Sequence, residues 1–424
     1  MSKRKQLVEA SISLFSSSGI GDLGIEYGCG IEVSISAELL PQRVKLLRHN
    51  YPKSTVIEGD ITKTAPKVIK VWNKKHCNAR PLLITLSPPC QGMSTNGAGK
   101  IAAEVKKGKR PKEDERNKLL IPGLKVVRSL QPEYFLIENV SNMKNTVISG
   151  NRNKPKRLID LIPKSVGKGY EIHSFVIDFA NYGVPHHRKR LITIGRRTGD
   201  KKSTLSEHSK PPYWFNSGSE SEQISVSEAI GNLLRTKKSD RLHSPPKMNE
   251  RHVFWASHIP KNSGNTAHLN ACSNLSCEHI EEFGVVMCTK CGGLLPRPHV
   301  TEKDGTVRAI KGYKTSYRRM SPHAPANTIT MNSGVASSDV KLHYNQARVL
   351  TLKEIMVLST FHDITNKKAT LTSHVWAGKY SFDCVMAEKD YILQKNIIRQ
   401  SLGESIPPLA MQRMVESLIR DWPE

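Results

Sequence analysis

Ser87-Pro88-Pro89-Cys90-Gln91-Gly92 follows the apolar run Leu82–Leu86. Two prolines fix the backbone just past a strand end and would hold the next residue rigidly at the edge of a sheet. A cysteine presented there, exposed and near positive charge, can ionise and act as a nucleophile. Glu138-Asn139-Val140 closes the apolar run Tyr134–Ile137, and Glu138 offers a carboxyl group that could donate a proton beside such a thiolate. Asn181 to Arg190 reads as a tight turn feeding a basic strand, with Arg188 and Arg190 on one face because strand periodicity is two. One arginine facing a reaction centre and one serving the structure is the expected division.

A second constellation suits an adenosine-containing cofactor. Gly19-Ile20-Gly21-Asp22-Leu23-Gly24 is a G-x-G-x-x-G after a strand, with Glu38 about twenty residues beyond its start. Such glycines let the backbone approach a nucleotide, and an acid at the end of the next strand can hold ribose hydroxyls. Gly59-Asp60-Ile61-Thr62 follows the run Ser54–Ile57, so Asp60 either bonds an adenine amino group or caps a helix. NAD-dependent and S-adenosylmethionine-dependent enzymes both use this arrangement.

Four of the eight cysteines fall within twenty residues as Cys272-x4-Cys277-x10-Cys288-x2-Cys291. That spacing predicts a structural tetrathiolate zinc site, with Gly292-Gly293 forming a knuckle turn and His268 or His279 as substitutes for one cysteine. A small ribbon of this kind would rigidify a loop-rich segment.

These groups need a scaffold. Strand-like runs occur at Ile12–Phe15, Ser54–Ile57, Leu82–Leu86, Tyr134–Ile137, His173–Ile177 and Leu191–Ile194, with helical spacing over Leu39–Asn50 and Asn117–Leu130. Near-continuous apolar strands alternating with helices predict an α/β domain built on a doubly wound, mostly parallel sheet. After Arg197 the texture turns rich in Ser, Pro, Asn and Gly, which suits a smaller loop-rich domain. The expected division is the α/β domain over 1–197 and the loop-rich domain over 198–394, which contains the zinc ribbon at 272–291.

The chain of 424 residues carries 64 Lys+Arg against 38 Asp+Glu, a net charge of +26 that calls for a polyanionic partner, most simply nucleic acid. Lys106, Lys107, Lys109, Arg110 and Lys112 crowd one loop, and seven Lys/Arg face only Asp160 between Ser141 and Lys168. Both runs are candidates for phosphate contact. Few cysteines for the length point to a reducing compartment, and no apolar run reaches membrane-spanning length, so a cytoplasmic location is expected.

Pro88-Pro89-Cys90-Gln91, Glu138-Asn139-Val140 and Arg188-x-Arg190 stand in this order after a loop of the form Phe15-x-x-x-Gly19. Arg348-Val349-Leu350-Thr351 with Glu354 follows, and Gly403-Glu404-Ser405-Ile406-Pro407-Pro408 closes the set. The ordered set resembles the DNA cytosine-5 methyltransferase family, of the kind found in bacterial restriction–modification systems, and spans nearly the whole chain. Three positions depart from the family pattern: Ser17 for a glycine, His186 for a glutamine, and Glu404-Ser405 for Asn-Ala.

The resemblance implies the methyltransferase fold, S-adenosylmethionine as cofactor and a specific double-stranded DNA sequence as substrate, with the target base flipped out of the duplex. It implies that 1–197, completed by 395–424, is the catalytic and cofactor-binding domain and that 198–394 is the target-recognition domain, whose zinc ribbon would aim side chains into the major groove. It implies Cys90 as nucleophile at carbon 6 of cytosine, Glu138 bonding ring nitrogen 3 and the amino group, and Arg188 on the base carbonyl, with Arg190 alongside. Phe15, Ser16, Gly19, Gly21, Glu38, Leu39, Asp60, Ile61, Pro88 and Ser405 would line the cofactor. A monomer in the bacterial cytoplasm, associated with the nucleoid and accompanied by an endonuclease acting on the same site, completes the expectation. The alternatives are an RNA cytosine methyltransferase on the same scaffold and a non-catalytic DNA-binding relative using the zinc ribbon. An NAD-dependent oxidoreductase leaves the charge and Pro-Pro-Cys-Gln unexplained.

Overall fold

The computed structural model describes residues 6–89, 114–149, 155–234, 240–310, 314–361, 374–387 and 390–423. Eight strands form the central sheet: β1 (Leu7–Leu14), β2 (Glu32–Glu38), β3 (Thr55–Glu58), β4 (Arg80–Leu86), β5 (Tyr134–Val140), β6 (Tyr170–Asp178), β7 (Lys189–Arg197) and β8 (Thr204–Glu207). Their spatial order is β8-β6-β7-β5-β4-β1-β2-β3. Five neighbours from β5 to β3 run parallel, and β7 lies antiparallel between β5 and β6. The sheet is thus mostly parallel, as its apolar runs predict.

Alternation along each strand explains why helices cover both faces. In β5, Phe135 and Ile137 join a core with Ala65, Val68 and Trp72 of α2 (Ile61–Lys75) and with Leu124 and Val127 of α3 (Leu120–Leu130). Tyr134 and Leu136 point the other way, into a core with Met411, Met414 and Leu418 of α6 (Pro408–Arg420). A third core joins Leu46, Leu47 and Tyr51, at and just after α1 (Pro41–Asn50), to α4 (Leu352–Leu358) and α5 (Tyr391–Glu404). Helix α5 crosses the boundary expected at 394. The stretch Asn366–Asn396, which carried no sequence reading, contributes Trp376, Tyr380 and Phe382 to the same core.

Residues 240–349 hold mainly short strands and turns around Trp255, Tyr317, Leu342 and Val349. Bidentate bonds of 2.8 and 2.7 Å join Arg348 to the fully buried Glu354, whose main-chain N–H is capped by Thr351. That motif braces the start of α4.

Candidate active site

In a parallel sheet the carboxyl ends of neighbouring strands share one edge, and here that edge collects the singled-out residues. Beyond β1, Phe15 and Ser17 both adopt left-handed backbone, at φ 58° and 48°. Ser17 therefore keeps the conformation that a glycine would take freely, at a cost of ~1 kcal/mol or more. Ser16 turns inward, donating to the Ser13 carbonyl at 2.8 Å. Glu38, at the end of β2, accepts main-chain N–H bonds from Ser17 at 2.8 Å and Leu40 at 2.9 Å. Burial pushes its carboxyl above the ordinary range, and the nearby Glu404 adds to the shift. Leu39 and Leu40 beside it are 56% and 44% exposed.

Asp60 accepts from the Thr62 N–H at 2.8 Å, so the helix cap is the contact present, and Ile61 is buried against the core. Ser405 donates to the Leu402 carbonyl at the end of α5. A half-buried carboxylate beside exposed leucines suits a sugar carrying an apolar ring, so the residues fit S-adenosylmethionine.

Packing inside the protein is one reason for glycine in this loop. A Cβ on Gly19, at φ 77°, would lie 2.6 Å from the Tyr51 ring, and one on Gly24 would lie 2.2 Å from the Pro408 carbonyl oxygen. At these two positions a side chain would run into protein. Sequence reasoning missed the two phenols that hold this loop: Tyr51 donates to the Gly19 carbonyl at 2.5 Å, and Tyr380 donates to the Ser18 carbonyl at 2.7 Å. Partners this distant in sequence leave no local pattern.

On the other half of the edge, β4 leads to Pro88, which is buried. Asn139 Nδ2 donates to the Pro88 carbonyl at 3.0 Å and ties the turn to β5. Cys90 and the lysine-rich loop to Lys112 lie outside the described residues. Glu138 sits opposite Ile192, and Arg190 opposite Val140, so the two are diagonal neighbours on adjacent strands. Arg190 Nε donates to Glu138 Oε1 at 2.7 Å, with both side chains largely buried.

Arg188 points elsewhere. Its Nη1 donates to the carbonyls of Ile329 and Gly403, and its Nη2 to that of Glu404, at 3.0 to 3.2 Å. Arg190 thus meets the carboxylate and Arg188 clamps backbone, whereas the resemblance puts Arg188 on the base carbonyl. Burial holds His186 down at about 3, so it stands as a neutral ring.

A family match decides what this edge does: the description C-5 cytosine-specific DNA methylase fits residues 10–383. The chain belongs to that family. As a C-5 methylase it transfers the methyl group of S-adenosylmethionine to carbon 5 of cytosine in DNA. The chain is similar to Type II methyltransferase M1.HgaI of Avibacterium volantium, 29% identical over 97% of this chain and 98% of the relative. It is also similar to Type II methyltransferase M1.HphI of Haemophilus parahaemolyticus, 27% identical over 96% and 86%. A solved DNA modification methyltransferase encoded within an E. coli prophage shares the fold, with a TM-score of 0.52 at 19% identity over 98% and 99% of the chains. Among the described residues, no helix of the methylase is long and apolar enough to cross a membrane.

The methylase also gathers its four clustered cysteines, with all sulfurs within 4.8 Å of one another. Cys272 and Cys291 are 3.5 Å apart and Cys277 and Cys288 3.6 Å, near the about 3.8 Å edge of a tetrahedron with 2.3 Å zinc–sulfur bonds. Gly292 turns at φ 70°, and Cys288 accepts its N–H, which closes the knuckle. Neither histidine substitutes for a cysteine: His268 bonds Ser316, and His279 faces Glu281. The buried Arg297 donates to the carbonyls of Asn270, Glu281, Glu282 and Val285, fastening the cysteine loop to its domain.

Three glutamates, Glu278, Glu281 and Glu282, stand against Lys290 between Cys272 and Leu295, which is poor chemistry for meeting phosphates. The basic run after Ser141 is also partly spent, since Arg157 pairs with Asp160 and Glu207, and Lys144 with Glu207.

Proposed function

We propose that this methylase is the modification enzyme of a bacterial restriction system, acting on a flipped cytosine in a specific double-stranded sequence. The observation that carries the reading is the Glu138–Arg190 pair beside the Asn139-anchored turn that leads into Cys90. The thiolate of Cys90 adds to carbon 6, which makes carbon 5 nucleophilic. Glu138 bonds ring nitrogen 3 and the amino group, and Arg190 orients that carboxylate and faces the base carbonyl. S-adenosylmethionine supplies the methyl group. Loss of the carbon 5 proton and elimination of Cys90 then release the product.

Glu38, Leu39, Asp60, Ile61, Phe15, Ser16, Gly19, Gly21, Pro88 and Ser405 line the cofactor edge, and Arg188 holds the segment 403–404 against it. Residues 1–197 with the C-terminal helices form the catalytic domain, and the loop-rich region between them reads the target sequence. The four cysteines hold a structural zinc ion, and their role is to stiffen that region. The enzyme works as a monomer in the cytoplasm, near the nucleoid, with an endonuclease that shares its site without binding it.

The test is methyl transfer from labelled S-adenosylmethionine to duplex DNA and to total RNA, offered separately, with the modified base identified by mass spectrometry. The expected result is 5-methylcytosine at one DNA sequence, abolished in Cys90→Ser while cofactor binding persists. Turnover in Cys90→Ser, or label in RNA alone, would overturn the reading.

A further inference from the structure

Two of the three departures from the family pattern touch each other. Ser17 Oγ donates to Glu404 Oε2 at 3.3 Å, across 387 residues of sequence. The same carboxylate oxygen accepts from Nε and Nη2 of Arg43 in α1, at 3.3 and 3.2 Å. Arg43 is 2% exposed, and its Nη1 reaches the Ile397 carbonyl in α5. Ser17 in turn gives its main-chain N–H to Glu38. A chain of contacts thus runs from a buried guanidinium through Glu404 and Ser17 to the carboxylate at the cofactor edge.

The chemistry explains why both departures occur together. A serine at φ 48° is strained where a glycine would not be, and a side-chain bond to a fixed acceptor offsets that strain. A glutamate at 404 is a fixed acceptor only because Arg43 holds it. Its backbone is held separately, since Arg188 donates to the Glu404 carbonyl.

We propose that Glu404, held by Arg43, is a positioning residue for the methyl donor: it latches the left-handed Ser17 turn, which aims Glu38 at the cofactor. This rests on the reading that S-adenosylmethionine lies against Glu38. Glu404→Gln is preferred to alanine because it keeps the shape and does not leave Arg43 facing a hole.

The experiment measures S-adenosylhomocysteine affinity by calorimetry, KM and kcat for methyl transfer, and unliganded Tm. The variants are Ser17→Ala, Ser17→Gly, Glu404→Gln, both serine variants combined with Glu404→Gln, and Glu38→Ala. Ser17→Ala and Glu404→Gln each weaken binding about threefold to tenfold, the range of one hydrogen bond. KM for S-adenosylmethionine rises with kcat far less affected, as for loss of uniform binding. The losses do not multiply in the Ser17→Ala double variant, because the two side chains act as one unit.

Ser17→Gly binds as well as the original, and adding Glu404→Gln to it changes nothing, because glycine needs no latch. Unchanged affinity in Ser17→Ala and Glu404→Gln, multiplicative losses, or a glycine variant as weak as the alanine one would each overturn the proposal. Unimpaired binding by Glu38→Ala would instead remove the placement of the cofactor, and the proposal with it.

Discussion

Glu138 and Arg190 illustrate what a pair of residues can do that neither does alone. A carboxylate buried at a strand end needs a partner, and a guanidinium diagonal to it across two strands fixes its direction. Glu138→Gln keeps the shape but weakens the bond to the base, so kcat is expected to fall about 10²-fold or more, with duplex DNA affinity retained. A kcat within threefold of the original would remove Glu138 from the base pocket.

A second residue makes a prediction about pH. Asp22 is buried, accepts from Ser13 Oγ at 3.0 Å, and burial pushes its carboxyl up to about 7. The folded state therefore binds a proton more tightly than the unfolded one. Stability is undiminished below about pH 4 and falls as pH rises toward 7, by at most ~1.4 kcal/mol per pH unit from this one group. Asp22→Asn is expected to raise Tm at pH 8 and to leave it unchanged near pH 4, in thermal melts across that range. A gain independent of pH would contradict the buried-carboxyl account.

At the scale of elements, the sheet positions chemistry because strand ends are cheap places to hold side chains rigidly. The glycine loop shows the reverse dependence, of an element on one missing atom. Helix α6 packs so closely on the loop that Gly24→Ala would push a methyl into the Pro408 carbonyl. The expected cost is on the order of 1–3 kcal/mol, measured by denaturant unfolding, together with weaker cofactor binding.

Most strands were legible because β4, β5 and β7 carry near-continuous apolar runs and β6 carries Phe175-Val176-Ile177. Strand β2 was marked only by the acid at its end, since Ser34 and Ser36 interrupt the run. Both are fully buried and satisfied by His76 and Ser54. The order of motifs marked the candidate residues, but which arginine faces Glu138 depends on strand pairing, which periodicity does not determine. Tyr380, Tyr51 and Arg43 were out of reach because their partners lie tens to hundreds of residues away.

For the whole molecule, the net charge of +26 is the property that a polyanion meets first. Neutralising Lys106, Lys107 and Lys109 is expected to weaken binding to every duplex sequence and to flatten the salt dependence by a slope of about 3. A change confined to one sequence would argue against phosphate contact. The cysteine module makes a separable prediction. The protein should carry one zinc per chain by elemental analysis, and chelation should lower the Tm of the recognition region and abolish site selectivity. Unaltered melting and selectivity after zinc removal would show that four thiols suffice.

The latch between Ser17 and Glu404 also bears on synthesis. The turn after β1 waits for a partner 387 residues later. Contacts so remote in sequence form late, after loop closure over most of the polypeptide. During translation the nascent sheet can assemble, yet its cofactor turn remains unlatched until α5 has been made. Premature termination before Glu404 should therefore yield chains that collapse but bind the methyl donor poorly.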